Sequence, residues 1–247
     1  MKAAAEAQRR LLDLQASDTA IAQLDHRRNT LPETAQARGL QAERARAAEH
    51  VIAAETVVSD LELEQAKAES DLVPVRERLA RNEKRVNDGS VGDPKALQGL
   101  IEEIDHLGHR ISDLEDLQLE AMERLDEARM IAGRATEAKT GIEDKLRALL
   151  RVREAKLGEL AAEREQKVLE RDAIAAAVPA DLLALYTRIA DKSGGVGAAL
   201  LRHGRCGGCQ LEATSADLER YRSAPEDEVL RCEECSRVLV RTNESGL

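Results

Sequence analysis

Leu97-Gln98-Gly99-Leu100-Ile101-Glu102-Glu103-Ile104-Asp105-His106-Leu107-Gly108-His109-Arg110-Ile111-Ser112-Asp113-Leu114 carries an apolar residue at alternating steps of three and four. Carried on to Leu160, the same spacing visits nineteen positions and finds fifteen of them apolar. A period of 3.5 residues held this long is the apolar seam of a left-handed coiled coil. Upstream, the spacing from Ala37 to Val86 finds twelve apolar residues in fifteen, with Gln65 and Asn82 as polar seam positions that fix register at some cost in stability. Between the two blocks lies Asn87-Asp88-Gly89-Ser90-Val91-Gly92-Asp93-Pro94, a dense turn signal with Asp93 as N-cap and Pro94 opening the next helix.

Two long helices joined by one short turn predict an antiparallel hairpin over residues 1–178, with its tip at about 87–94 and facing residues whose numbers sum to roughly 180. On that register Met1 returns beside Val178. A parallel dimer of straight coils and a pairing of two hairpins are the alternatives. Thr30-Leu31-Pro32-Glu33 reads as a capping box at which the first arm restarts, and Pro74 within a heptad run predicts a kink.

Composition agrees with this reading. The 247 residues contain no Phe, no Trp and two Tyr, and the hydrophobic 43% is dominated by Ala and Leu, so a wide globular core is excluded. Lys and Arg number 37 against 47 Asp and Glu, a net charge of −10, so any nucleic-acid or membrane contact has to be local. No apolar run is long enough for a signal peptide or membrane span, which places the chain in the cytoplasm. The excess of Arg over Lys and the abundance of Ala point to a GC-rich bacterial genome.

A second domain, residues 179–247, starts after Val178-Pro179. A short helix from Ala180 to Ala190 precedes a strand from Ala198 to His203, a helix capped by Thr214 that runs to Tyr221, and a final strand at Val238-Leu239-Val240. All four cysteines lie here, as Cys206-Gly-Gly-Cys209 and Cys232-Glu-Glu-Cys235. Two C-x2-C knuckles bring four thiolates to the corners of a tetrahedron at Zn–S distances of about 2.3 Å, which makes one structural Zn2+ the first reading. An iron–sulfur cluster and a pair of disulfides are the competing ones. Gly207 and Gly208 are expected to supply positive φ inside the knuckle. Four thiolates leave no open coordination position for catalysis.

The chain resembles a bacterial family of coiled-coil hairpin proteins with a C-terminal four-cysteine zinc ribbon. The resemblance rests on Asp93-Pro-Lys-Ala-Leu-Gln-Gly-Leu-Ile-Glu-Glu-Ile104, Ile111-Ser-Asp-Leu-Glu-Asp116, Pro179-Ala-Asp-Leu-Leu-Ala-Leu-Tyr186 and the two knuckles with Ser236-Arg-Val-Leu239. It implies a zinc-held ribbon and an adaptor role, and some relatives are linked to flagellar gene expression through a specialised sigma factor and transcript binding. Glu233, Glu234 and Ser236 depart from the Pro, Asn and Gly more usual in relatives.

For function, the leading expectation is a non-enzymatic adaptor with protein partners and no small-molecule substrate. Lys95 and Leu97 at the hairpin tip are candidate partner contacts. The alternative is a nucleic-acid-binding regulator in which Arg202, Arg205, Arg231, Arg237 and Arg241 form a basic strip on the ribbon, without the aromatic platform that single-strand binders use. His106 and His109 read as solvated surface residues rather than a metal pair.

Overall fold

The computed structural model describes residues 1–247. Four helices come first, α1 (Ala5–Asn29), α2 (Pro32–Asn87), α3 (Pro94–Ala176) and α4 (Ala180–Lys192). The remainder is β1 (Ala198–Arg202), β2 (Arg205–Cys206), α5 (Ser215–Ser223), β3 (Leu230–Arg231) and β4 (Val238–Val240). The protein is mainly α, with long helices that form a coiled-coil hairpin and a small C-terminal sheet that carries the four cysteines.

Two compact units divide the chain differently from a cut at residue 178: Ala35–Leu150 is one, and Met1–Thr34 with Arg151–Leu247 is the other.

In the Ala35–Leu150 unit, α2 and α3 meet along one seam. Leu61 packs with Leu125 and Ala128, and Leu72, Leu107, Leu114 and Leu146 are buried along the same stripe. Near the tip Arg78 pairs with Glu103, as a pairing sum of roughly 180 expects, but further from it Leu125 and Ala128 lie six to nine residues further along α3 than that sum would place the partner of Leu61. A slip of about one heptad keeps the same stripe facing inward, so periodicity selects the face and leaves the register to other contacts. Ion pairs across the arms supply some of these, among them Arg76 with Glu115 at 2.6 Å, Arg129 with Glu62 at 2.9 Å and Arg124 with Glu64 at 3.0 Å. At the tip Gly89 takes φ +62°, and Asp93 Oδ1 accepts the Lys95 amide at 3.2 Å. α2 continues as helix through Pro74.

The other unit is built around a four-stranded sheet in the order β2-β1-β4-β3, with β1 parallel to β4 and the outer pairs antiparallel. Alternation along the strands gives each face its own core. Ala198, Val238 and Val240 pack with Leu11 and Leu14 of α1, Ala175 of α3 and Leu182, Tyr186 and Ile189 of α4. Ala199, Leu201, Leu230 and Leu239 point the other way, toward Tyr221, Cys206 and Cys232. The first helix and the end of α3 therefore belong physically with the ribbon.

Polar contacts hold the same assembly. Asp18 accepts Tyr186 Oη at 2.6 Å and Arg171 Nε at 3.0 Å, which ties α1 to α4 and α3. Gln15 Oε1 accepts the Gly197 amide at 2.7 Å while its Nε2 donates to Gly195 O at 3.0 Å. Gly197 has no room for a side chain, since a Cβ there would lie 2.6 Å from the Tyr186 carbonyl oxygen.

Two local expectations are corrected. Met1 does not lie beside Val178: its carbonyl accepts the Val229 amide at 3.1 Å and Ala3 donates to Asp227 O at 2.7 Å, so the chain start lines the ribbon as an edge bridge. The first arm does restart at Pro32, as expected, but Thr30 ends α1 rather than capping α2, because its amide and hydroxyl both donate to His26 O. Glu33 reaches across instead, accepting Lys156 Nζ from α3.

Candidate metal centre

β1 and β2 carry the first knuckle and the β3–β4 connection carries the second. Cys206 Sγ lies 3.8 Å from Cys235 Sγ, and Cys209 Sγ lies 3.8 Å from Cys232 Sγ. All four sulfurs fall within 4.8 Å of one another. A tetrahedron with Zn–S bonds of about 2.3 Å has edges of about 3.8 Å. The free thiols are thus spaced as ligands of one ion, well beyond the roughly 2.05 Å of a disulfide.

The knuckles are near copies of each other. The Gln210 amide donates to Cys206 O at 2.8 Å and the Ser236 amide donates to Cys232 O at 2.8 Å. Gln210 and Ser236, each just after its second cysteine, take φ of 64° and 61°. Positive φ thus sits outside the C-x2-C turns, and not at Gly207 or Gly208 as the sequence led us to expect. Those glycines serve close approach: a Cβ on Gly207 would meet Leu200 O at 3.0 Å, and one on Gly208 would meet Arg237 Cδ at 2.5 Å and Ala199 Cβ at 3.3 Å. Gly204, at φ +74°, sits with His203 in the β1–β2 turn that leads into the first knuckle.

Burial pushes the Cys206 and Cys232 thiols up, the latter to about 12. Burial acts on Cys235 in the same direction, but hydrogen bonds from the Arg237 amide and guanidinium and from the Cys232 and Cys209 thiols together outweigh it and bring that thiol down to about 7. Four thiolates this close repel one another without a cation, so the donor set fits a divalent metal and disfavours the empty, ionised state.

The arginines of the ribbon have mostly been taken up by the fold. Arg237 donates from Nε to Val196 O at 3.0 Å and from Nη2 to Ser193 O at 2.8 Å. Arg241 donates to the carbonyls of Tyr221, Ala224, Pro225 and Glu228, closing the loop after α5. Arg231 Nε donates to Ser236 O at 3.1 Å across the second knuckle, and Arg202 pairs with Glu244 at 3.1 Å. Arg205 is exposed without an ion-pair partner, beside Arg202 and His203 in a shallow groove. Glu212 lines the same groove, which Arg231, Arg237 and Arg241 do not line. Glu233 on the second knuckle is neutralised by Arg220 at 2.5 Å.

At the tip, Lys95 is exposed and Leu97 half-buried in the first turn of α3. His109 faces Asp105 of its own helix at 3.8 Å, and neither His106 nor His109 joins a cluster of metal-binding groups. The αL positions at Gln210 and Ser236 left no trace in the sequence, because neither is a glycine. Arg237 was readable as a charge, but its carbonyl partners at 193 and 196 come from a loop some forty residues away.

Residues 14–194 match the family model described as CT398-like coiled coil hairpin domain. The chain belongs to that family. Residues 205–239 match a C4-type zinc ribbon domain, which assigns the four thiolates to one structural Zn2+. Among curated relatives, the uncharacterized protein Rv2229c of Mycobacterium tuberculosis strain H37Rv is 33% identical over 98% of both chains. The uncharacterized protein ML1638 of Mycobacterium leprae is 24% identical over 90% of this chain and 94% of its own. A solved structure from Mycobacterium smegmatis shares 32% identity and a TM-score of 0.83, covering 98% of this chain and all of that one. CT398 of Chlamydia trachomatis, 16% identical with a TM-score of 0.63 over 95% of this chain and 97% of its own, shares the family's fold. No helix is long and apolar enough to cross a membrane.

Proposed function

We propose that this protein is a non-enzymatic cytosolic adaptor that offers its coiled coil and ribbon to protein partners, with the zinc centre serving architecture. The observation that carries the reading is the double use of the ribbon sheet: one face encloses the cysteines, and the other is the core in which α1, α3 and α4 are anchored. A metal placed there stiffens the base of a coil and has no coordination site left for a substrate. The hairpin tip, where Lys95 is exposed, is a reachable contact on the coil.

The rival reading, a nucleic-acid regulator, keeps Arg202, Arg205 and the exposed Arg231, which commits only its Nε to a carbonyl, as phosphate contacts, because Arg237 and Arg241 spend their guanidinium donors on carbonyls within the fold. Three contacts give a log–log salt slope of about −2 on single strands and affinity in the weak, non-specific range. Photo-crosslinking from position 95 or 97 in the native cell tests the choice. Nuclease-resistant protein adducts are expected, whereas submicromolar RNA or DNA binding lost on Arg205→Ala would replace the adaptor with the regulator.

A further inference from the structure

Exposed apolar side chains are concentrated in one part of the hairpin. Residues 51–73 of α2 and 113–131 of α3 hold nine of the molecule's fifteen exposed large hydrophobics, including Val57, Leu63, Leu117, Met122 and Ile131. One edge of the seam here opens into a groove of about 410 Å³ in which Val57 and Ile131 flank Ala54, Leu61 and Ala128. Val57 is 50% and Ile131 52% exposed, so the groove walls are half covered and stand in water. Isolated surface apolar residues need no explanation, but two half-exposed large side chains on the walls of an otherwise apolar groove, in the stretch richest in such residues, mark a binding surface.

Charge decides what fits it. The same two segments contain thirteen Asp and Glu against Lys67, Arg124 and Arg129, a net charge of −10. The rest of the chain therefore sums to zero. Glu62, Glu64, Glu115 and Asp126 are paired with arginines, and the other nine acids, among them Glu120, Glu123 and Glu127, have no basic partner. Glu127 lines the groove itself, beside Arg124, whose charge is met by Glu64 at 3.0 Å.

We propose that the middle of the hairpin is a docking surface for a basic amphipathic helical segment of a partner protein, seated on Val57 and Ile131 beside Glu127, within the two segments that carry the chain's excess of acids. The proposal rests on the adaptor reading and deepens it by locating the surface and naming the partner's chemistry. Apolar anchors at helical spacing fill such a groove, and the surrounding field raises the rate of encounter while excluding acidic sequences.

The test uses the zinc-loaded full chain and a fluorescent 18-residue Lys/Leu helical peptide, with its Glu/Leu counterpart as the wrong-sign control. Glu120→Lys with Glu123→Lys and Glu127→Lys is expected to weaken binding about tenfold or more, the scale of lost charge complementarity. Glu154→Lys with Glu159→Lys and Glu165→Lys, an equal change in net charge outside the surface, is expected to cost less than about twofold. Val57→Ser with Ile131→Ser leaves charge unchanged and is expected to weaken binding about fivefold or more. Thermal melts check folding, with the Glu→Gln triple used if the reversal unfolds the chain. Absence of peptide binding, equal loss from both triples, or no effect of the apolar pair would overturn the proposal. So would self-association through this surface that the peptide fails to compete away, which would make the occupant a second copy. None of these results touches the crosslinking outcome at positions 95 and 97, so the adaptor reading fails or stands separately.

Discussion

The ribbon with its coil base and the 35–150 hairpin bury their apolar residues in different ways. In the first, Leu182, Leu201 and Val238 are sealed on several sides by elements drawn from both ends of the chain. In the second, Leu61 and Leu72 meet only the facing helix, and solvent begins one residue to either side. Long-range contacts should make the ribbon unit cooperative and dependent on its metal, whereas each turn of the hairpin should contribute its own small share. Stability is therefore concentrated where the sheet is, and the hairpin is left free to present surface.

Removing the metal should separate the two regions most sharply. Structural zinc contributes about 10–16 kcal/mol of apparent binding free energy to modules this small, so chelation or Cys206→Ser should unfold the ribbon. The hairpin seam is independent of the cysteines, so circular dichroism should retain most of its helical signal. Equal collapse of both would mean that the hairpin draws its stability from the base.

Leu182→Ala and Leu72→Ala, both fully buried, measure the contrast at single residues. Large-to-small changes of this kind cost about 2–5 kcal/mol, rising with the cavity that remains. Leu182 is enclosed by three helices and the sheet and should fall near the top of that range; Leu72, between two helices that can close on the gap, should fall near the bottom. Denaturant titration of the two variants checks the order.

The smallest effect is expected at Asn82, a buried seam residue whose Nδ2 has no partner. Asn82→Leu should raise stability by about 1 kcal/mol, since it removes an unsatisfied polar group. It should also loosen the register, because a polar seam residue disfavours a slipped pairing. Spin-label distances across the arms would show a second population.

Much of the hairpin was legible because helix, seam and tip are local properties: a 3.5-residue period, Asp93-Pro94 at a helix start, a turn rich in Gly. The register was legible only near the tip, where Arg78 pairs with Glu103. Leu61 meets Leu125 and Ala128 and not the residues near 119, and a heptad pattern is almost unchanged by a slip of that size. The ligand set was equally plain, since two C-x2-C knuckles in one small domain have few alternative uses. What those knuckles require of the backbone was hidden, because Gln210 and Ser236 adopt positive φ without being glycine, and Gly207 and Gly208 are needed for the space that Leu200 and Arg237 occupy.

The sequence by itself determined which residues are helical, which stripe of each helix is buried and which four thiols hold the metal, because each depends on spacing along the chain. Only the tertiary structure decided that α1 and the end of α3 share the ribbon's core, and that Met1 to Ala3 line the ribbon. It also decided that Arg237 and Arg241 are bonded to carbonyls rather than free for phosphate. Those outcomes depend on which distant groups come within hydrogen-bonding or van der Waals range, and that is set by packing, for which a one-dimensional pattern carries no coordinate.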